Sequence, residues 1–269
     1  MGDRSEAVPL TELQSQLGRW LAENRSEDSY LAGAAAILSS PNSRRYSQDL
    51  DYFHDSAERV ASAFAADHAV LVDRNCKVEV ELSQPGYIRA IVELDGEATK
   101  IEWARDSIWR FMPVMESEQF GYQLHPIDLA TNKVLALAGR EEARDLIDVV
   151  YLPETLLPLG PMGWAATGKD PGFSPLSLLE LMRRRGKIQP QELERLHLTE
   201  PIDPQALKAK WLDTLDGAEA FVRSRPADEA GCLYYAPGQE RFVDPTGLAD
   251  DEYVIHYGRP GGVLPRAFP

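Results

Sequence analysis

Apolar and polar residues recur along this chain with two different periods, and the switches between them divide it into elements. Leu13, Leu17, Trp20 and Leu21 fall at helical spacing behind Thr11-Glu-Leu-Gln14, a capping box, and predict a first helix of about three turns. Tyr30–Leu38 is small and apolar, and a Ser/Pro/Asn loop follows over residues 39–43. In the last part of Arg44–Phe53 the period drops to two: Leu50 points one way, Asp49 and Asp51 the other. Asp55-Ser-Ala-Glu58 reads as a second capping box, opening a helix whose apolar face holds Val60, Ala61 and Phe64.

The middle of the chain predicts a β-meander. Val78, Val80 and Leu82 alternate with Lys77, Glu79 and Glu81. A Pro85-Gly86 turn leads into Ile88, Ala90, Val92 and Leu94, and Asp95-Gly96 is a hairpin signal before Thr99-Lys-Ile-Glu-Trp103. Helical patterns return at His125–Ala138, with Pro126 in the first turn and Gly139 closing it, and at Arg144–Leu152, stopped by Pro153. Pro, Gly and Ser crowd residues 153–175 and mark a boundary. Ser174-Pro175, Gln189-Pro190 and Asp203-Pro204 then start helices running to Arg185, His197 and Phe221. The Tyr-, Gly- and Pro-rich stretch from Gly231 onward gives no clear pattern. The division expected is residues 1–152 and a mainly helical part over 153–269.

Composition narrows the class. The 269 residues are 43% hydrophobic and 26% charged, enough apolar surface for a core. No apolar run approaches the roughly 18 residues of a membrane span, and the first ten residues lack the apolar stretch of a signal peptide, so a soluble cytoplasmic protein is expected. Two cysteines, Cys76 and Cys232, exclude a disulfide scaffold and a cysteine-rich zinc site. With 28 basic against 43 acidic residues the net charge is −15, which opposes broad binding to nucleic acid but suits carboxylates gathered around metal ions. Neither a P-loop nor a Gly-x-Ser-x-Gly elbow is present.

Asp49-Leu-Asp51 carries the chemistry. Two carboxylates two apart on a strand project from one face and can share Mg²⁺, which prefers hard oxygen ligands. Two such ions about 4 Å apart activate an attacking oxygen and stabilise a leaving pyrophosphate. A third carboxylate is wanted from a neighbouring strand, and Glu102, with Ile101 on the opposite face, is placed for it. By itself an Asp-x-Asp is more often a solvated strand face.

Context selects between these readings. Gly33-Ala-Ala-Ala-Ile37 followed by Arg45-Tyr-Ser-Gln-Asp-Leu-Asp-Tyr-Phe53 resembles motif I of the DNA polymerase β-like nucleotidyltransferases, and more narrowly the AbiEii/MenT family of nucleotidyltransferase toxins. A second block, Leu124–Arg140 with Glu141-Glu-Ala-Arg-Asp-Leu-Ile-Asp148, extends the resemblance over about residues 28–152. Two departures stand out: Gly33-Ala34 replaces a Gly-Gly or Gly-Ser turn, and Glu102 replaces an Asp.

The resemblance implies an α/β fold (α+β in the stricter sense), a mixed sheet flanked by helices. It implies Mg²⁺-dependent transfer of a nucleotidyl group from an NTP to an acceptor. In the family that acceptor can be the 3′ end of tRNA, and the enzyme is a toxin with a cognate antitoxin. Asp49, Asp51 and Glu102 would hold metal, and Gly33 and Ala34 would contact the triphosphate. Lys133 and Asp148 are the matching active-site residues, with Asp145 on the same helix face. Lys133 is expected to face the nucleotide, so that its loss spares stability. Arg45 either binds phosphate or pairs with Asp49, and Ser47 either touches nucleotide or pins the loop. Asp145 has an ion pair with a neighbouring Arg as its alternative, and Asp148 a helix cap or surface charge. Arg183-Arg-Arg185 with Lys187 complements a helix C-terminus or holds an RNA backbone. A small-molecule or protein acceptor, and a non-catalytic nucleotide- or partner-binding relative, remain the alternatives.

Overall fold

The sequence patterns become elements in a computed structural model that describes residues 10–38, 44–151 and 156–266. In chain order the first part runs α1 (Glu12–Leu21), β1 (Ser29–Ala32), α2 (Gly33–Leu38), β2 (Asp49–His54), α3 (Ala57–Asp73), β3 (Lys77–Gln84), β4 (Tyr87–Leu94) and β5 (Glu97–Arg105). It continues through β6 (Trp109–Arg110), β7 (Met115–Ser117), β8 (Gly121–Gln123), α4 (Pro126–Gly139) and α5 (Ala143–Tyr151). Then come α6 (Leu159–Lys169), α7 (Pro175–Arg185), α8 (Pro190–Glu194), α9 (Pro204–Ser224), β9 (Leu233–Ala236), β10 (Arg241–Phe242), β11 (Val254–His256) and β12 (Arg259–Pro260).

Contacts divide the chain into two units. One comprises Met1–Ile108 with Pro113–Leu129, the other Trp109–Met112 with Ala130–Pro269. The division therefore falls inside α4, ahead of the Pro/Gly-rich stretch that the sequence marks.

The first unit is built on a seven-stranded mixed sheet in the order β3-β4-β5-β2-β1-β8-β7. The meander is there, with β3, β4 and β5 antiparallel and a register shift between Val80 and Leu82. β2 lies parallel to β5 and antiparallel to β1. One face carries Leu50, Tyr52, Ile101 and Trp103, all fully buried in one cluster with Leu17 and Leu21 of α1 and Leu71 of α3. Truncating such a residue to Ala costs about 2–5 kcal/mol. The capping box of α1 forms between Thr11 and Gln14. At α3 the cap is Ser56, which accepts from the Arg59 N–H, one residue later than the sequence pattern places it. A hydroxyl meets that donor with the extended backbone an N-cap needs.

Behind the sheet, Arg25 and Asp67 form a fully buried ion pair. The Trp103 Nε1–H donates to Asp67 at 2.7 Å, Asn24 donates at 2.8 Å, and the Arg25 guanidinium lies 4.3 Å from the Tyr52 ring centroid. This network ties α3 to β2 and β5 from the side opposite the aspartates. A buried pair of this kind has its charges compensated, and losing one partner is costly.

In the second unit α7 and α9 begin at Ser174 and Asp203 as the sequence predicts, each with its cap bond formed. α8 stops at Glu194, short of His197. Two features escape the sequence reading. α6 lies within the supposed boundary, and its residues Leu159–Thr167 are all buried. The unpatterned stretch after Gly231 forms a three-stranded sheet, β10-β9-β11. The expected stop at Pro153 and the loop over 39–43 lie outside the described residues. Among the described residues no helix is long and apolar enough to cross a membrane.

Candidate active site

In the parallel ladder Asp49 stands opposite Lys100, and Asp51 opposite Glu102. Residues opposite one another share a face, so these four side chains leave the sheet together, on the side away from Leu50 and Ile101. The register thus sets the third carboxylate level with the second aspartate of the pair.

Lys100 links them. Its Nζ lies 3.0 Å from Asp49 Oδ2 and 2.9 Å from Glu102 Oε1. Arg89 on β4 adds a second cation, its Nε 3.0 Å from the same Glu102 oxygen. Burial works to lower the Lys100 pKa, but the bonds to Glu102 and Asp49 outweigh it and the net shift is upward. Burial works to raise that of Glu102, and Lys100, Tyr87 and Arg89 together carry it below the usual carboxylate range. Both groups are therefore held charged.

Gly33 explains its own presence. It closes β1 with a φ of +62°, a left-handed conformation that favours glycine, and starts α2. A Cβ there would fall inside the Asp51 carboxylate. The turn thus approaches Asp51 as closely as a backbone can. Ala34 follows, buried at the start of α2. Ser47 donates its Oγ hydrogen to the Asp49 carbonyl at 2.8 Å, and Gln14 of α1 donates to the Ser47 carbonyl at 3.3 Å and to Thr99 Oγ1 at 3.2 Å. Ser47 therefore pins the entry to β2. Arg45 is buried, and its Nη1 donates to the Tyr46 carbonyl at 3.2 Å.

Three carboxylates on neighbouring strands offer the hard oxygen donors that Mg²⁺ takes. An ammonium shared by Asp49 and Glu102 shows that the face stabilises a cation. The residues fit a divalent ion, with Lys100 as its competitor. As they stand, no three His, Cys, Asp or Glu side chains among the described residues converge on one metal position.

The second motif block forms its own cluster in the second unit. Lys133 Nζ on α4 lies 3.0 Å from Asp145 Oδ1 and 2.9 Å from Asp148 Oδ2, both on α5. Arg140 Nε lies 2.7 Å from Asp145 Oδ2. Burial works to raise the Asp145 pKa, and Lys133 and Arg140 bring it below the usual range. The ion pair with a neighbouring Arg thus exists, alongside the pair with Lys133. Lys133 itself is only 7% exposed. The expectation that its loss would spare stability is corrected: two buried carboxylates depend on it.

The sequence reading missed Lys100 and Arg89. The alternation of β5 puts Lys100 on the Glu102 face, but its neighbourhood to Asp49 exists only through the parallel β2–β5 pairing. His125 enters the α4 helix by accepting the Ile127 N–H at 3.2 Å. In the basic run, Arg183 pairs with Asp216 at 2.9 Å, and Arg184 pairs with Glu180.

The mixed sheet, with two aspartates on a central strand and a third carboxylate on its parallel neighbour, is nucleotidyltransferase-like in fold by its likeness to a solved structure. Among solved structures it is similar to MenT4, a nucleotidyltransferase toxin from Mycobacterium tuberculosis. The TM-score is 0.53 and the identity 17%, over 84% of this chain and 87% of that one. JHP933 from Helicobacter pylori gives a TM-score of 0.47 at 18% identity, over 80% of this chain and 94% of that one. No protein-family model matches the sequence, and no curated protein does.

Proposed function

We propose that this protein is a metal-dependent nucleotidyltransferase that moves a nucleotidyl group from an NTP to an acceptor. The observation that carries the reading is the level placement of Asp51 and Glu102, with Asp49 on the same face and Gly33 against Asp51. Asp49, Asp51 and Glu102 would hold Mg²⁺. Bound there, the ion supplies charge stabilisation to the reacting α-phosphate and the departing pyrophosphate.

The chain's own residues do the rest. Gly33 and Ala34 present a small-residue turn that admits a triphosphate beside Asp51. Ser47 fixes the Asp49 backbone, so the first carboxylate keeps its orientation. Lys100 and Arg89 are cations already on this face, available to phosphate oxygens once Glu102 and Asp49 turn to metal. Arg45 is the proposal's further phosphate ligand. Lys133, Asp145 and Asp148 enter as the active-site residues that the motif resemblance implies, with Lys133 held by both carboxylates.

The motif resemblance extends this reading to a toxin role, with a cognate antitoxin as partner and tRNA as the acceptor; of these, the MenT4 likeness bears on the toxin role alone. A second reading, nucleotide binding without transfer, draws support from Lys100, which occupies Asp49 and Glu102 with a built-in cation.

Labelled NTPs incubated with total tRNA, small-molecule acceptors or candidate proteins decide between these. Transfer of label to tRNA that Asp49→Asn abolishes, with an unchanged melting temperature, supports the proposal. Label on another acceptor redirects it. NTP binding with no transfer to any acceptor establishes the second reading.

A further inference from the structure

The second unit holds a cavity of about 380 Å³ lined by none of the residues placed in the candidate active site. Its floor is apolar: Leu146 of α5, Leu193 of α8, and Leu207 and Trp211 of α9 line it, all buried. The volume lies within the range of small-molecule sites, which are mostly apolar with a few placed polar groups.

The charged groups here are all basic. Arg183, Lys187 and Lys208 stand around the floor. Arg183 is already matched by Asp216 and, at 3.5 Å, by Glu219. Lys187 and Lys208 are exposed and take part in no ion pair among the described residues. Two unmatched lysines beside one apolar cavity are conspicuous in a chain of net charge −15. The first turn of the 21-residue α9 also borders the cavity and adds its positive dipole end. Its cap residue Asp203 is engaged with the Gln205 N–H at 3.0 Å. Trp211 is 2% exposed, and its Nε1–H has no acceptor among the described residues.

From this juxtaposition we infer that the cavity is a binding site for a small amphipathic anion: an apolar body of eight to ten carbons on the leucine and tryptophan floor, and a carboxylate head on Lys187 and Lys208. A purely polar anion leaves the floor wet, and a cationic head meets like charge. Each further methylene buried on the apolar floor strengthens binding, so chain length sets affinity. The two lysines set the sign of the head group. The site stands independently of the nucleotidyl-transfer reading.

The test is calorimetric titration of the full chain with octanoate, 1-octanol and octylamine. The expected result is saturable one-to-one binding of octanoate, with octanol and octylamine at least tenfold weaker. Lys187→Gln with Lys208→Gln should weaken octanoate at least tenfold, and both side chains are exposed, so folding is spared. Leu212→Trp, at a cavity-lining position 40% exposed, should fill the space and abolish binding with both lysines in place. No saturable octanoate binding, equal binding of octanol, or octanoate affinity indifferent to the lysine pair would each overturn the assignment.

Discussion

The Lys100 ammonium lies 3.0 Å from Asp49 Oδ2, across the parallel junction of β5 and β2. It neutralises the first carboxylate of the pair while also touching Glu102. A cation covalently built into this face competes with any cation from solution. Lys100→Met should therefore tighten divalent-ion binding about two- to fivefold, the scale of a partly exposed ion pair of up to ~1 kcal/mol. Calorimetry with Mg²⁺ or Mn²⁺ measures it directly. Weaker binding in the variant would mean that Lys100 organises the carboxylates and does not compete for them.

Gly33→Ala tests the close approach at Asp51. The added Cβ cannot coexist with the carboxylate as placed, and a φ of +62° is strained for alanine. We expect transfer to fall at least a hundredfold, while stability drops only by about 1–2 kcal/mol, the strain of one left-handed residue. Labelled-NTP transfer and thermal melting read the two separately. Full activity in Gly33→Ala would show that Asp51 needs no such approach.

Lys133→Met should destabilise the protein by about 3–5 kcal/mol, because Asp145 and Asp148 stay buried after their shared partner goes. Arg140 continues to serve Asp145, so the larger penalty falls on Asp148. Denaturant unfolding of Lys133→Met and of the double variant with Asp148→Asn separates the terms. Partial recovery in the double variant is the expected outcome, and unchanged stability in the single variant would contradict the buried pairing.

His54 predicts an acid sensitivity. It ends β2 fully buried, and neither ring nitrogen has a hydrogen-bond partner among the described residues. Burial first, then Arg25 and Arg59, lowers its pKa from 6.5 to about 3. The unfolded chain thus takes up a proton below pH 6.5 that the folded chain refuses until near 3. Stability falls across that window, by about 3 kcal/mol between pH 7 and pH 4 at ~1.4 kcal/mol per unit. In His54→Leu the loss over the same interval should shrink by about that amount. Parallel slopes of stability against pH in the two proteins would refute it.

What could be read in the sequence was local. The period of two at Asp49-Leu-Asp51, the Thr11–Gln14 box and the Ser174-Pro175 and Asp203-Pro204 starts each lie within a few residues, and each has its element. What could not be read depends on distant partners. Lys100 meets Asp49 because β5 pairs with β2 across 51 positions. Gly160, Pro161, Gly163 and Gly168 speak against a helix locally, yet α6 forms because burial on all sides outweighs propensity. At Gly160 the missing side chain is the means, since a Cβ would press on Phe221 of α9. Lys133 stands out by its place in the second motif block, but its two carboxylate partners depend on how α5 packs beside α4.

The aspartates sit on the fourth strand of seven, with β5 hydrogen-bonded on one side and β1 on the other. A strand so flanked keeps its amide protons until the sheet itself separates, whereas edge strands such as β3 and β7 exchange through local fraying. Opening of the outer strands therefore leaves the carboxylate geometry standing. Deuterium uptake along β2 should follow global unfolding, so that this segment loses its arrangement only when the first unit loses its fold.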